Sequence, residues 1–285
     1  MTARTRVAAC QVAPVLLDLQ GNARRSTGAV AAALDAGADV VVLPELVTSG
    51  YVFADADDAR SVAIGAGSPV LAGWARECAR RDGSVVVGGF CEAGEDGRLY
   101  NSAAVVDASG VRAVYRKAHL WDREHLVFTP GAAPPPVVET AHGRIAAMVC
   151  YDLEFPEWVR TAALAGADLI AVPTNWPRVD HPEGERAPEV VIAMGAARVN
   201  HVAIVCADRC GTERGVDWNE GTSVVGADGW VLDAAGAGPG TAWAELDLLA
   251  SRTKRLTEHA DLMGDRRPEL YGAVSHPSGC GSLQY

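Results

Sequence analysis

The stretch AGADVVVLP (Ala36–Pro44) returns almost unchanged as AGADLIAVP (Ala165–Pro173). Each copy reads as the end of a helix, a glycine turn and a short buried strand stopped by proline. The residues before each copy, Asn22–Ala36 and Glu157–Ala165, read as helices, the first with Asn22 as a candidate cap. Further upstream, RVAAC (Arg6–Cys10) is echoed by RIAAM (Arg144–Met148), and both read as strands. Both halves therefore run strand, helix, Ala-Gly-Ala-Asp turn, strand, proline. That order implies an α/β chain whose halves form two similar sheets packed together. Helix-to-strand turns share residues by chance as well, so at this point the symmetry stays open.

The remaining pattern fits the same class. Strands are expected at Arg6–Val12, Val40–Leu43, Val85–Gly88, Ala103–Val106, Ala113–Arg116 and Ile145–Cys150. Others are expected at Leu169–Val172, Ala203–Ala207, Thr222–Val225 and Ala242–Leu246. Pro69–Arg81 and Pro188–Asn200 add two helices. No linker interrupts residues 1–265, which are read as one domain. Residues 266–285 lack periodicity and are read as a tail, a candidate oligomer-contact arm.

Composition excludes several classes. The 285 residues are 49% hydrophobic, enough for a large core, and carry a net charge of −11. No dense run of cations offers a nucleic-acid face. No apolar run is long enough for a membrane span. The seven cysteines, at 10, 78, 91, 150, 206, 210 and 280, are scattered without metal-ligand spacing. A reducing, cytoplasmic setting and no metal are expected. Of the 25 cationic residues only Lys117 and Lys254 are lysines. An ammonium is a compact, tunable charge, which makes Lys117 conspicuous in a chain that otherwise uses arginine.

Four strand ends carry reactive or polar groups: Glu45 in VVVLPELVTSGY, Lys117 and Glu124 in VYRKAHLWDREHLVFTPG, Cys150 in MVCYDLEFPE, and Asn175 with Trp176 in AVPTNW. Ligands bind at the carboxyl ends of strands in α/β sheets. A cysteine there attacks a carbonyl carbon, a glutamate moves its proton, and an ammonium steadies the oxyanion. Taken singly, each has an ordinary structural reading: a core thiol, a helix-start carboxylate, a solvated lysine.

Together with their flanks, these segments resemble the nitrilase superfamily of carbon–nitrogen hydrolases. LPELVTSGY, YRKAHL and CYDLEFPE match its three motifs in order, and the likeness runs from about Arg6 to Leu246. The resemblance implies an αββα four-layer sandwich of two mixed sheets, assembled as homodimers or larger homo-oligomers. It implies a Glu45–Lys117–Cys150 triad, with Glu124 orienting it and the Tyr151 N–H joining Lys117 at the oxyanion. The reaction implied is acyl transfer through a cysteine thioester, with a small amide as the molecule bound and no cofactor.

The CYD form of the nucleophile motif is not the CWE usual in nitrilases proper, and the length leaves no room for a synthetase domain. An amidase remains. ω-Amidases resemble CYD-x-RF at this place, where this chain has Glu154, so a neutral or cationic, 5-aminopentanamide-like substrate is expected. Tyr51, Trp121, Glu154, Asn175 and Trp176 are the candidate substrate contacts. Hydrolysis of N-carbamoyl amines or ω-amides, nitrile hydrolysis and acyl transfer to an amine are the alternatives.

Overall fold

The structure is a computed structural model that describes residues 4–274. The chain divides into two compact units, one ending at Thr253 and the other beginning at Lys254, ahead of the boundary at 265 expected from the sequence. Most of the expected tail, residues 275–285, lies outside the described residues.

The first half of the first unit runs β1 (Thr5–Gln11), α1 (Leu19–Asp35), β2 (Val40–Val42), α2 (Ala56–Val62), α3 (Pro69–Cys78), β3 (Val85–Ala93), β4 (Leu99–Asp107) and β5 (Gly110–Arg116). The second runs β6 (Val137–Thr140), β7 (Gly143–Ala147), α4 (Pro156–Leu164), β8 (Leu169–Pro173), α5 (Pro188–Asn200) and β9 (Ala203–Ala207). A small hairpin, β10 (Thr212–Glu213) and β11 (Val216–Asp217), then leads to β12 (Ser223–Val225), β13 (Val231–Ala234) and β14 (Gly240–Leu246). The second unit holds a hairpin, β15 (Arg255–Thr257) with β16 (Ala260–Asp261), and short 3-10 turns.

Two six-stranded mixed sheets result, ordered β14-β1-β2-β3-β4-β5 and β13-β12-β9-β8-β7-β6. In each, three parallel strands are flanked by antiparallel ones: β1, β2 and β3 in the first, β7, β8 and β9 in the second. Side chains alternate across each strand. Val7 and Ala9 of β1 belong to the core that also holds Ile145, Ala147 and Ala171 of the second sheet, whereas Ala8 and Cys10 face the layer with Leu34 and Trp74 of the helices. β2 and β3 approach β8 directly, while α1 packs with α3 and α4 with α5. The layers are therefore αββα.

The internal echo holds at the level of atoms. Gly37 and Gly166 adopt φ of 94° and 92°, which only glycine enters without strain. Asp39 and Asp168 then each accept the backbone N–H of the second residue of the neighbouring strand, Arg6 and Arg144, both at 2.8 Å. The same aspartates return an N–H to the carbonyls of those arginines.

Local details differ from the sequence reading. Asp18, not Asn22, caps α1 by accepting the Gly21 N–H, while the Asn22 amide bonds Val15 both ways. α2, β6 and β13 carried too little apolar periodicity to be expected. The strand leading to Cys150 stops at Ala147, although the Met148 N–H still reaches the Ala171 carbonyl.

Candidate active site

Glu45 leaves the end of β2 through Pro44 and is completely buried. Its backbone is tied to the segment after β8, because Asn175 Nδ2 donates to the Glu45 carbonyl at 2.9 Å. Lys117 follows β5 directly and is also buried. Its Nζ sits between two carboxylates, 2.8 Å from Glu45 Oε1 and 2.7 Å from Glu124 Oε1. Burial works to lower the Lys117 pKa, but Glu124 and Glu45 outweigh it and hold the ammonium charged well above the ordinary range.

The two carboxylates are not equivalent. Glu124 is saturated: Oε1 takes Lys117 Nζ and the Tyr51 hydroxyl, both at 2.7 Å, and Oε2 takes the Trp121 N–H at 3.1 Å. Glu45 bonds only through Oε1, and Oε2 has no partner among the described residues. Burial pushes the Glu45 carboxyl up to about 7, with Lys117 opposing and Glu124 reinforcing the rise. A free, buried carboxylate oxygen with a pKa near neutrality suits a general base.

Cys150 opens a 3-10 turn, Cys150–Glu154, at φ 49°. A non-glycine residue in the left-handed region stores strain of the kind found where a nucleophile is presented on a sharp turn. Burial and then the Glu45 charge push its thiol pKa well up, against Lys117. The resting sulfur is therefore a thiol, and it needs a base to become a nucleophile. Sγ lies 3.9 Å from the Asn175 carbonyl.

Asp152 anchors this turn. Its Oδ2 accepts the Val149 N–H at 3.1 Å and the Tyr115 hydroxyl at 2.7 Å, and its Oδ1 accepts the His119 N–H at 3.0 Å. Tyr115 and His119 bracket Lys117, so one buried carboxylate links the lysine segment to the cysteine turn. His119 is further fixed by stacking on Phe155 at 3.7 Å between ring centroids.

The candidate substrate contacts divide. Tyr51 and Trp121 line a cavity of about 330 Å³, with Phe53, Phe128 and Trp218, and Glu124 shows one edge there. Trp121 also meets the Tyr151 ring edge-on at 4.9 Å, which places the cavity beside the cysteine turn. Tyr51 belongs equally to the polar network through Glu124. Asn175 is buried and braces the Glu45 segment. Trp176 is buried in the core, with its backbone N–H donating to Asp208 Oδ1. Glu154 is exposed, with no cation at ion-pair distance among the described residues. Partial burial and the nearby Glu189 raise its pKa.

Sequence reasoning missed three groups. Asn101, on β4, donates to Glu45 Oε1 at 2.7 Å; the signal was a lone buried amide in LYNSAAVV. Arg209 and Glu213 form a buried ion pair at 2.8 Å, and Glu213 Oε1 takes the Tyr51 and Val52 N–H groups. Asp208 is buried with its pKa pushed up to about 7 by desolvation, against three backbone N–H donors. The four-residue spacing of Arg209 and Glu213 in DRCGTE was readable; their target was not. Among the described residues no group of side chains is arranged to hold a metal.

Residues 6–255 match the carbon–nitrogen hydrolase family. A nitrilase of Pyrococcus abyssi is 35% identical over 268 residues, covering 93% of this chain and 98% of that protein. The 2-oxoglutaramate amidase of Bacillus subtilis is 29% identical over 244 residues, covering 82% and 87%. Among solved structures, an amidase from Nesterenkonia sp. AN1 superposes with a TM-score of 0.77 at 29% identity, covering 94% of this chain and 98% of that one. That structure shows acrylamide added at its active site cysteine.

Proposed function

The chain belongs to the carbon–nitrogen hydrolase family, the nitrilase superfamily, and on that premise we propose that it hydrolyses small aliphatic primary amides through a Cys150 thioester. The family makes it a hydrolase of carbon–nitrogen bonds other than peptide bonds. The observation that carries the finer reading is the buried Glu45–Lys117–Glu124 cluster, in which, among the described residues, only Glu45 keeps a carboxylate oxygen without a partner.

Cys150 Sγ attacks the amide carbon as Glu45 Oε2 takes the thiol proton. Lys117 and the Tyr151 N–H hold the oxyanion. The tetrahedral intermediate collapses when Glu45 returns that proton to the leaving nitrogen, and ammonia departs. Water, deprotonated by Glu45, then attacks the thioester, and the carboxylic acid leaves as Cys150 regains its proton. A resting thiol beside a base of pKa about 7 supports proton transfer during attack, not a standing thiolate.

The aromatic walls of the cavity support a small neutral acyl group, and Glu154, outside the cavity lining but on the cysteine turn and without an ion-pair partner among the described residues, supports a cationic one over an anionic one. A second reading, hydrolysis of an ω-amide bearing a carboxylate, is favoured by the likeness to 2-oxoglutaramate amidase. Ammonia release from acetamide, propionamide, 5-aminopentanamide and succinamate separates them: the first three are expected to exceed succinamate, and the reverse order selects the second reading. Cys150→Ala is expected to abolish turnover and the acyl-enzyme mass adduct together. A turning-over alanine variant removes the mechanism.

A further inference from the structure

Asn101 sits on β4, 1% exposed, opposite Cys91 of β3. Its Nδ2 donates to Glu45 Oε1 at 2.7 Å and reaches Glu124 Oε1 at 3.4 Å. Only the NH₂ end of the carboxamide can face two carboxylate oxygens, because carboxylates are acceptors. Glu45 Oε1 thus holds two donors, Lys117 Nζ and Asn101 Nδ2, and Oε2 holds none among the described residues. Lys117 alone does not fix this division: its ammonium is shared with Glu124 and sits on a flexible stem. The amide on a rigid strand does fix it. The Asn101 backbone carbonyl separately takes the Lys117 backbone N–H at 2.8 Å, so the strand sets the lysine backbone and the base side chain from one residue.

We infer that Asn101 is a positioning residue for the amidase reaction: it confines the resting hydrogen bonds of Glu45 to Oε1 and so makes Oε2 the oxygen that exchanges protons with Cys150, the leaving nitrogen and the hydrolytic water. This rests on the amidase reading above. A base whose two oxygens interchange by χ3 rotation would present a bonded oxygen to the thiol for part of the time, and near-attack geometry would be lost in proportion. The amide also favours the carboxylate form of Glu45. The other titratable groups facing Glu45 are Lys117, Glu124, Tyr51, Cys150 and Asp208, drawn from five different segments. Removal of Asn101 leaves Lys117 as the only side chain bonding the base among the described residues.

The test compares wild type with Asn101→Ala and the isosteric Asn101→Asp, reading ammonia release from propionamide against pH. Wild type is expected to lose kcat as pH falls through about 7, where Glu45 protonates. Asn101→Ala is expected to lower kcat by roughly tenfold to a hundredfold with KM unchanged, and to move the acid limb to higher pH. Asn101→Asp, which adds a third carboxylate to the cluster, is expected to move that limb further still. Circular dichroism identifies folded variants, and either one suffices. A folded variant whose acid limb stays where wild type has it overturns the inference and leaves the amidase reading intact. A wild type that forms no thioester and releases no ammonia from any amide overturns both.

Discussion

Cys150 combines a fully buried thiol with a backbone that disfavours every residue but glycine. The left-handed conformation costs an L-residue on the order of 1 kcal/mol or more, and here the cost brings the sulfur to the cysteine turn beside Lys117 and Glu45. Cys150→Gly is therefore expected to be more stable than Cys150→Ala by about 0.5–1 kcal/mol, read from urea midpoints, while both are inactive. Equal midpoints would mean that the turn is unstrained. At this scale Glu45, Lys117, Glu124 and Cys150 were legible in the sequence because reactive side chains stood in distinctive flanks. Asn101 was not, because a buried asparagine looks like any other strand residue until its neighbours across the sheet are known. Glu154 stood out as charge, yet its surroundings are set by Glu189, thirty-five positions away in sequence.

The recurring unit among the elements is the turn from helix into parallel strand, glycine then aspartate. Asp168 is the more demanding copy: its side chain is 1% exposed and takes the Arg144 N–H and the Arg252 guanidinium, the latter at 2.7 Å. Burial opposes ionisation of Asp168, but Arg252 and the Arg144 N–H prevail and hold its carboxyl below the usual aspartate range. A lowered pKa means that its stabilisation is present above the unfolded value and is lost as pH falls through the folded one. Asp168→Ala strands a buried N–H and is expected to cost about 2 kcal/mol at neutral pH; Asp39→Ala, at the more open copy, about 1. Differential scanning calorimetry of the two variants checks the order, and a larger loss at Asp39 would contradict it. The central strands were legible because Val, Ile and Ala runs between glycine and proline admit few other readings. Edge strand β13 escaped because it is only four residues long, VLDA, and none of them is buried. α2 escaped because its seven residues, ADDARSV, bury only Ala59 and Val62.

Across the whole molecule, the layered α/β class followed from the alternation of elements, and the pairing of halves from the AGAD echo. The edge strand β14 was a different matter. Its residues read as a strand, but nothing local to them says that they return to β1, more than two hundred positions back. There Leu246 faces Thr5 in register. In the other sheet, β6 occupies the matching edge, and residues 141–142 join its last residue, Thr140, straight to Gly143 of β7. Reading the first unit from β6 through β13, then β14 and round into β1, gives the same six-strand unit twice in succession. The fold is thus a tandem duplication, circularly permuted by one strand. A chain opened between Ala133 and Pro134, both exposed, and closed by a flexible linker from Thr253 to Thr5 is expected to fold with its amidase activity retained. Such a permutant would put Cys150 ahead of Glu45 and Lys117 along the chain. The order of the three proposed catalytic groups is then an accident of where the ring was cut, free to differ wherever the same duplicated body is opened at another loop.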